Sequence, residues 1–482
     1  MTRPNCIVIM ADQLRYDALG PHTPHINALL GESWRSQRSY CTSPLCVPAR
    51  GSFFTGRHPN QTGCVINPWA PQDKQHGLVA AGTPNWYQLL EQDWDLWHTG
   101  KQHFLTEDRF DRSEASRVHW CSLEDGYGPH LKRLGARRPG GEAFRCLVPE
   151  MIGGTTTRAR NYSIPTTGCY EPGVAAFFDG YICQTSLDAI SQRDRSKPFA
   201  LGAMFLAPHP PLDIPEPWFS RIAAEDVTLP DNVGCWSPQQ SPLQLYNLPG
   251  FLGGRYEREQ WREVWRVYLG LVALLDDCVG HIVAQLKAEG LYEESVIVFT
   301  ADHGEMLGSH RLWQKMCMYE ESVRTPTAIK CPASWGVTPV DSSALFSHLD
   351  VLPTLCDLLG VAAPADLPGY SAAAHIRDGA AFARERCFIQ FDGNGARGNF
   401  QRCIIEGQDK LILDLFKDEW FIELYDVVAD PQEQHNRALA EGPRCEDLLA
   451  KLAAHMQRTG DLLRVPEQAY ATFVERYAAL LA

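Results

Sequence analysis

The chain has 482 residues, enough for about two or three domains with a large core. Its composition is that of an ordinary soluble globular protein, with 44% hydrophobic and 21% charged residues. The formal net charge of -14 argues against nucleic acid or an anionic membrane as a partner held by bulk electrostatics, though a local basic pocket for a small anion is compatible with it.

The N-terminus leads straight into the apolar run Cys6-Ile7-Val8-Ile9-Met10. That run is too short for a signal peptide, and no stretch of the chain approaches the roughly 20 apolar residues of a membrane span. A cytoplasmic location is therefore expected, with most of the 16 cysteines as free thiols. The run itself has the pattern of a strand buried on both faces of a parallel sheet. It ends in Asp12 and Gln13, and ligands in open α/β sheets sit beyond the carboxyl ends of strands. Thr23-Pro24 predicts a capped helix start.

The stretch from Ser43 to Gly56 has the core Cys46-Val47-Pro48-Ala49-Arg50. Pro48 suits the first turn of a helix, which puts Cys46 just before or at its N-terminus. Unpaired N–H groups and the positive end of the dipole attract anions there. Arg50, one turn on, adds a guanidinium that can grip an oxyanion. Thr83-Pro84 predicts another helix start, and Trp94–Trp97 a short strand closed by a segment presenting Lys101 and His103.

Residues 105–195 read as long loops, Arg137-Arg138-Pro139-Gly140-Gly141 and Gly153-Gly154-Thr155-Thr156-Thr157 among them, with a helix over 174–190. These loops, and those around 230–255, are expected to shape substrate choice. Phe199–Leu206 predicts a buried strand ending in a proline-rich turn that presents His209. Glu257–Leu286 predicts a long amphipathic helix whose stripe of Trp261, Val264, Trp265, Tyr268 and Leu271 is core. Val296–Thr300 is a fourth strand; Asp302, His303 and, further on, Lys315 follow it. Ser347 to Gly360 reads as a helix with a glycine cap.

Beyond about residue 375 the pattern changes to antiparallel strands at 387–391, 401–405, 410–413 and 420–425, then helices at 443–457 and 466–481. The expected fold is α/β: a large mixed, mostly parallel sheet sandwiched by helices over residues 1–375, and a smaller antiparallel sheet-plus-helix domain over 376–482. Gly393 to Gly398 matches G-x-G-x-x-G but leads into a strand, so it reads as a hairpin loop. Gly51 to Gly56 has a P-loop spacing, but Arg57-His58 replace the Lys and Ser/Thr that phosphate binding needs.

Several strand ends thus carry polar groups. Asp12, Asp302, His303 and the amide oxygen of Gln13 form a hard or borderline ligand set for one divalent cation, Ca²⁺, Mn²⁺ or Mg²⁺, and a poor one for zinc. Arg50, Lys101 and Lys315 add three cations around an anion, a balance suited to a sulfate or phosphate ester.

Cys46-x-Pro48-x-Arg50 followed by Thr55-Gly56 resembles the signature of the type I sulfatases, on the alkaline phosphatase-like scaffold. Asp12-Gln13 looks like the pair of choline-sulfatase-like and phosphonate-monoester-hydrolase-like members. Gly100-Lys101-Gln102-His103, Pro208-His209-Pro210, Asp302-His303-Gly304-Glu305 with Lys315, and Leu424-Tyr425-Asp426 are similar to further elements of that family. His303 departs from the asparagine many members carry, and Val47 and Ala49 from the residues commonest beside the cysteine.

The resemblance implies hydrolysis of a small-molecule sulfate ester. Cys46 would be oxidised to formylglycine by a formylglycine-generating enzyme or an equivalent maturase, and its hydrate would join Asp12, Gln13, Asp302 and His303 on one cation, Ca²⁺ first among the candidates. It further implies a covalent sulfate on the hydrate. His209 or Lys315 would protonate the leaving alcohol, and His103 would release the sulfate. Two other readings stay open: a phosphonate monoester or phosphodiester hydrolase on the same scaffold, against which the pair Lys101 and His103 weighs, and an unmodified anion-binding protein. A homo-oligomer is compatible with the sequence.

Overall fold

The computed structural model describes residues 3–68, 74–141, 144–152, 155–246, 248–394, 399–416 and 418–481. The first strand, Asn5–Asp12, lies inside an eight-stranded sheet. It runs parallel to Ser295–Ala301 on one side and Phe199–Pro208 on the other. Asp95–Gly100 and then His119–Ser122 extend the sheet in parallel beyond Phe199–Pro208. On the other side come Thr327–Lys330, antiparallel to both neighbours, then Trp34–Tyr40 and Val340–Ser347. The sheet is mixed and mostly parallel.

Period-two alternation sends the first strand's side chains to opposite faces. Ile7, Ile9 and Ala11 pack with residues of the helices Phe178–Gln192 and Arg258–Ala288. Cys6, Val8 and Met10 pack with residues of Cys46–Thr55 and Val351–Leu359. Arg258–Ala288 modifies the expectation about membrane spans: by length and composition it is long and apolar enough for one, and 67% of its apolar window is buried inside the molecule. Its stripe residues Trp261, Val264, Trp265, Tyr268 and Leu271 all lie in the core, as their spacing predicts.

The C-terminal part is a four-stranded antiparallel sheet of Arg386–Phe391, Phe400–Glu406, Asp409–Phe416 and Glu419–Asp426. Ile404, Leu411 and Leu424 on one face pack with Leu448 and Leu452 of the helix Gly442–Arg458 and Phe473 of the helix Ala469–Leu481. Ile389, Cys403 and Ile412 on the other pack with Tyr40, Met318 and Tyr319 of the main body. The helix Ala373–Asp378 crosses the expected boundary at 375/376, and its Ala373 and Ile376 belong to the main core. All 16 cysteines are free thiols.

Other expectations need correction. Residues 105–195 are not a long loop region. They hold the strand His119–Ser122, the helix Leu123–Leu134 and a hairpin of Arg145–Ile152 and Thr155–Ser163. Gly126, Gly128 and Pro129 disguise that helix; Ser122 caps it, accepting from the Asp125 N–H. Thr155, Thr156 and Thr157 are strand residues, whereas Gly153-Gly154 and 395–398 of the glycine-rich loop lie outside the described residues. The helix expected from 174 starts at Phe178. The helix expected at Thr83-Pro84 starts at Trp86, because Asn85 accepts the capping bond from the Gln88 N–H. Thr23 stands at a helix N-cap without a capping bond; its hydroxyl donates to the Gly20 carbonyl instead.

Candidate active site

Cys46 is the first residue of the helix Cys46–Thr55, and Pro48 lies in that first turn. The helix ends at Gly56 in the left-handed conformation, at φ 65°. Its N-terminus points Cys46 at the carboxyl end of the first strand. Cys46 Sγ lies 3.8 Å from Asp12 Oδ1, 3.2 Å from His303 Nε2 and 3.8 Å from Lys101 Nζ. Asp12, Cys46, Asp302 and His303 are all buried, and their ligand atoms lie within 4.8 Å of one another.

Arg50 runs beneath this cluster and joins its two acids. Nη2 donates to Asp12 Oδ2 at 3.0 Å, and Nε to Asp302 Oδ2 at 2.9 Å. Lys101 Nζ also donates to Asp12 Oδ2. Burial alone would push the Asp12 carboxyl up; Lys101, His209, Arg50 and Lys315 outweigh it and hold the group well below the usual carboxylate range. Burial and Asp12 raise the Cys46 thiol, yet Lys101, Lys315 and His303 pull it below its ordinary value. His303 donates from Nδ1 to the Gly304 carbonyl at 3.0 Å, which leaves Nε2 facing the cluster. Burial opposes its protonation, and the neighbouring Asp302 and Cys46 raise it.

Gln13 adopts φ 67°, rare for a side chain of its kind. Its backbone is pinned on both sides: its N–H donates to Asp302 Oδ1 at 3.1 Å, and Tyr268 donates its hydroxyl to the Gln13 carbonyl at 2.8 Å. Its amide is also engaged, with Oε1 accepting from Lys315 Nζ and Nε2 donating to Glu305 Oε2. The Gln13 oxygen expected on a cation thus meets an ammonium here. Asp12, Asp302 and His303, with position 46, are the groups that could hold a divalent cation, and two carboxylates with one imidazole fit a hard or borderline ion.

A cavity of about 1120 Å³ opens above the cluster, and Cys46, Lys101, His103, His209 and Lys315 all line it. His209 Nδ1 donates to the Pro210 carbonyl at 2.6 Å, leaving Nε2 as its working atom. Burial, with Lys315 and Lys101, holds His209 well below the usual histidine range. Burial, with Lys101 and Arg50, does the same for His103. Both environments favour the neutral imidazole.

Three residues to which the sequence assigned no role at the site support it. Glu305 holds the Gln13 amide. Tyr268, read there as core, also fixes the Gln13 backbone. Glu124 accepts from the Gln102 N–H at 2.9 Å and sits 3.9 Å from His103 Nε2. Arg137, Arg138, Phe144, Arg145, Asn161 and Ser163 are among the residues that line the cavity. Among the described residues none of 230–255 does; Asn232, Ser237 and Ser241 bond instead to Gln432, Gln434 and Glu423.

The family profile described as Sulfatase matches residues 4–361. A second, described as N-sulphoglucosamine sulphohydrolase, C-terminal, matches residues 308–461. Choline-sulfatase of Rhizobium meliloti (strain 1021) is 27% identical over 458 residues, covering 92% of this chain and 83% of that protein. The uncharacterized sulfatase YidJ of Escherichia coli (strain K12) is 27% identical over 491 residues, covering 98% of this chain and 90% of that one. The phosphonate monoester hydrolase of Agrobacterium radiobacter superposes with a TM-score of 0.75 at 20% identity, over 95% of this chain and 96% of that one. That last likeness is one of fold.

Proposed function

We propose that this chain, which belongs to the sulfatase family, hydrolyses a sulfate ester to an alcohol and inorganic sulfate, with a formylglycine made from Cys46 and one divalent cation. The observation that carries the reading is the convergence of Asp12, Cys46, Asp302 and His303 under a cavity walled by Lys101, His103, His209 and Lys315.

Asp12, Asp302 and His303 would hold the cation, and their oxygen-rich set favours Ca²⁺, then Mn²⁺ or Mg²⁺. When present, the aldehyde hydrate supplies an oxygen nucleophile, and the cation lowers that oxygen's pKa and shares the charge of the sulfate. The chain's own groups do the rest. Arg50 fixes both aspartates in place. The ammonium groups of Lys101 and Lys315 face the anion. His209 is neutral, its Nδ1 proton committed to Pro210, so Lys315 Nζ gives the proton to the leaving alcohol oxygen. His103, also neutral and on the cavity wall, accepts the proton whose loss releases sulfate.

The reading includes a maturase that oxidises Cys46 and a reducing, cytoplasmic compartment, which the other 15 free thiols support. Mass measurement of the Cys46 peptide from active protein is expected to show the aldehyde, and Cys46→Ala is expected to lose turnover of an aryl sulfate. An unmodified thiol in active protein, or retained activity in the variant, would sink the mechanism. A higher kcat/KM for an aryl phosphonate than for the matched aryl sulfate would instead favour the phosphonate reading, to which the fold likeness gives weight.

A further inference from the structure

Resting on that function, the cavity carries more information than a sulfate group needs. Among the described residues its lining holds Lys101, Arg137, Arg138, Arg145 and Lys315 against one acid, Glu124, in a chain of net charge -14. A cationic concavity in an acidic protein is a focused field, not a bulk property. Lys101 and Lys315 belong to the reacting centre. Arg137 is neutralised by Asp213 at 2.7 Å and Glu171 at 2.8 Å. Arg138 and Arg145 remain, and among the described residues neither guanidinium meets a carboxylate.

Both are held by rings instead. The Arg138 guanidinium lies 5.4 Å from the centre of the Phe178 ring and 6.0 Å from that of Tyr127; Arg145 lies 4.8 Å from that of Phe144. Cation–π seating leaves the planar N–H groups available while limiting the freedom lost on binding. Burial and the nearby Arg138 lower the pKa of Arg145. A neutral alcohol part would offer neither of them an anion to pair with.

We propose that Arg138 and Arg145 form a second anion subsite, and that the substrate is a sulfate ester whose alcohol part carries a further anionic group, a carboxylate or a second sulfate.

The test compares kcat/KM for 2-, 3- and 4-carboxyphenyl sulfate with their uncharged methyl esters. At least one acid is expected to exceed its methyl ester by roughly tenfold or more, as charge-assisted hydrogen bonds allow. Arg138→Ala and Arg145→Ala are expected to bring that ratio toward one, and Arg138→Lys, which keeps the charge and the fold, to bring it part of the way. Acid-to-methyl-ester ratios at or below one throughout, or ratios unchanged in the variants, overturn the subsite.

Calorimetric binding of the same pairs to Cys46→Ala protein separates the two readings. If no sulfate ester is hydrolysed but the acids still bind better, the subsite stands and the hydrolase reading falls. Hydrolysis without any preference for the acids has the opposite meaning.

Discussion

Arg50 sets the ionic order of the site. It is buried and spans two carboxylates that would otherwise repel each other in a low-dielectric pocket. A lysine there keeps the charge but has no planar fork to reach both acids. Arg50→Lys is therefore expected to lower kcat by on the order of 10²-fold, the scale seen when one preorganised donor is lost. Steady-state kinetics on an aryl sulfate checks this, and wild-type kcat would refute the bridging role. At this scale much of the cluster was legible in the sequence. Asp12, His209 and Asp302 each follow an apolar run closely, and Cys46 and Arg50 sit one helical turn apart. Glu305 and Tyr268 were not legible as supports. Their role exists only once the fold lays the Gln13 amide against one and its carbonyl against the other. The Gln13 amide oxygen, expected on a cation, accepts from Lys315 Nζ in this structure, a contact that residue type alone does not show.

At the scale of elements, the site depends on how each strand stops. Asp95–Gly100 ends in a glycine at φ 91°, where an added Cβ would come 2.1 Å from the Met204 carbonyl oxygen. The next residue, Lys101, donates its N–H to that same carbonyl at 2.9 Å. Gly100→Ala is expected to cost about 1–3 kcal/mol through backbone strain and to displace Lys101 from Asp12. Denaturant unfolding and kcat are expected to fall together, and an active variant of unchanged stability would show that the turn adapts. Central strands such as Asn5–Asp12 announce themselves because both faces are buried. Trp34–Tyr40 does not: its sequence Trp-Arg-Ser-Gln-Arg-Ser-Tyr is polar, and sheet membership comes from its neighbours, not from its own pattern. The helix Leu123–Leu134 was hidden differently, by two glycines and a proline that tertiary packing tolerates. Gly126 is small because the Tyr181 hydroxyl occupies the place a Cβ would take.

At the scale of the whole molecule, the C-terminal sheet meets the main body over buried acids. Burial, with the nearby Glu423, pushes the Asp414 carboxyl up from 3.8 to about 7. Burial likewise pushes Glu423 up to about 6, against the Tyr319 and Tyr425 hydroxyls that donate to it at 2.7 Å and 2.9 Å. A carboxyl whose folded pKa is raised binds its proton more tightly in the folded chain. Its stabilising contribution is complete below the unfolded value and is lost as pH rises through the folded one. For Asp414 that window runs from 3.8 to about 7. Asp414→Asn is expected to gain stability relative to wild type across this window, by up to roughly 4 kcal/mol. Urea unfolding at several pH values checks it, and a pH-independent difference would contradict the linkage. The order of the main sheet has a temporal consequence too. Asn5 pairs with Ser295, and Cys6 with Ala200. The first strand is therefore made long before either partner, and at ribosomal speed the wait for Ser295 is on the order of half a minute. During that interval Cys-Ile-Val-Ile-Met is a short apolar strand with open edges, the kind of segment that nucleates aggregation. The same central position that lets Asp12 meet Asp302 leaves the first strand of the newly synthesised chain without Ser295–Ala301 beside it until more than half of the chain has been translated.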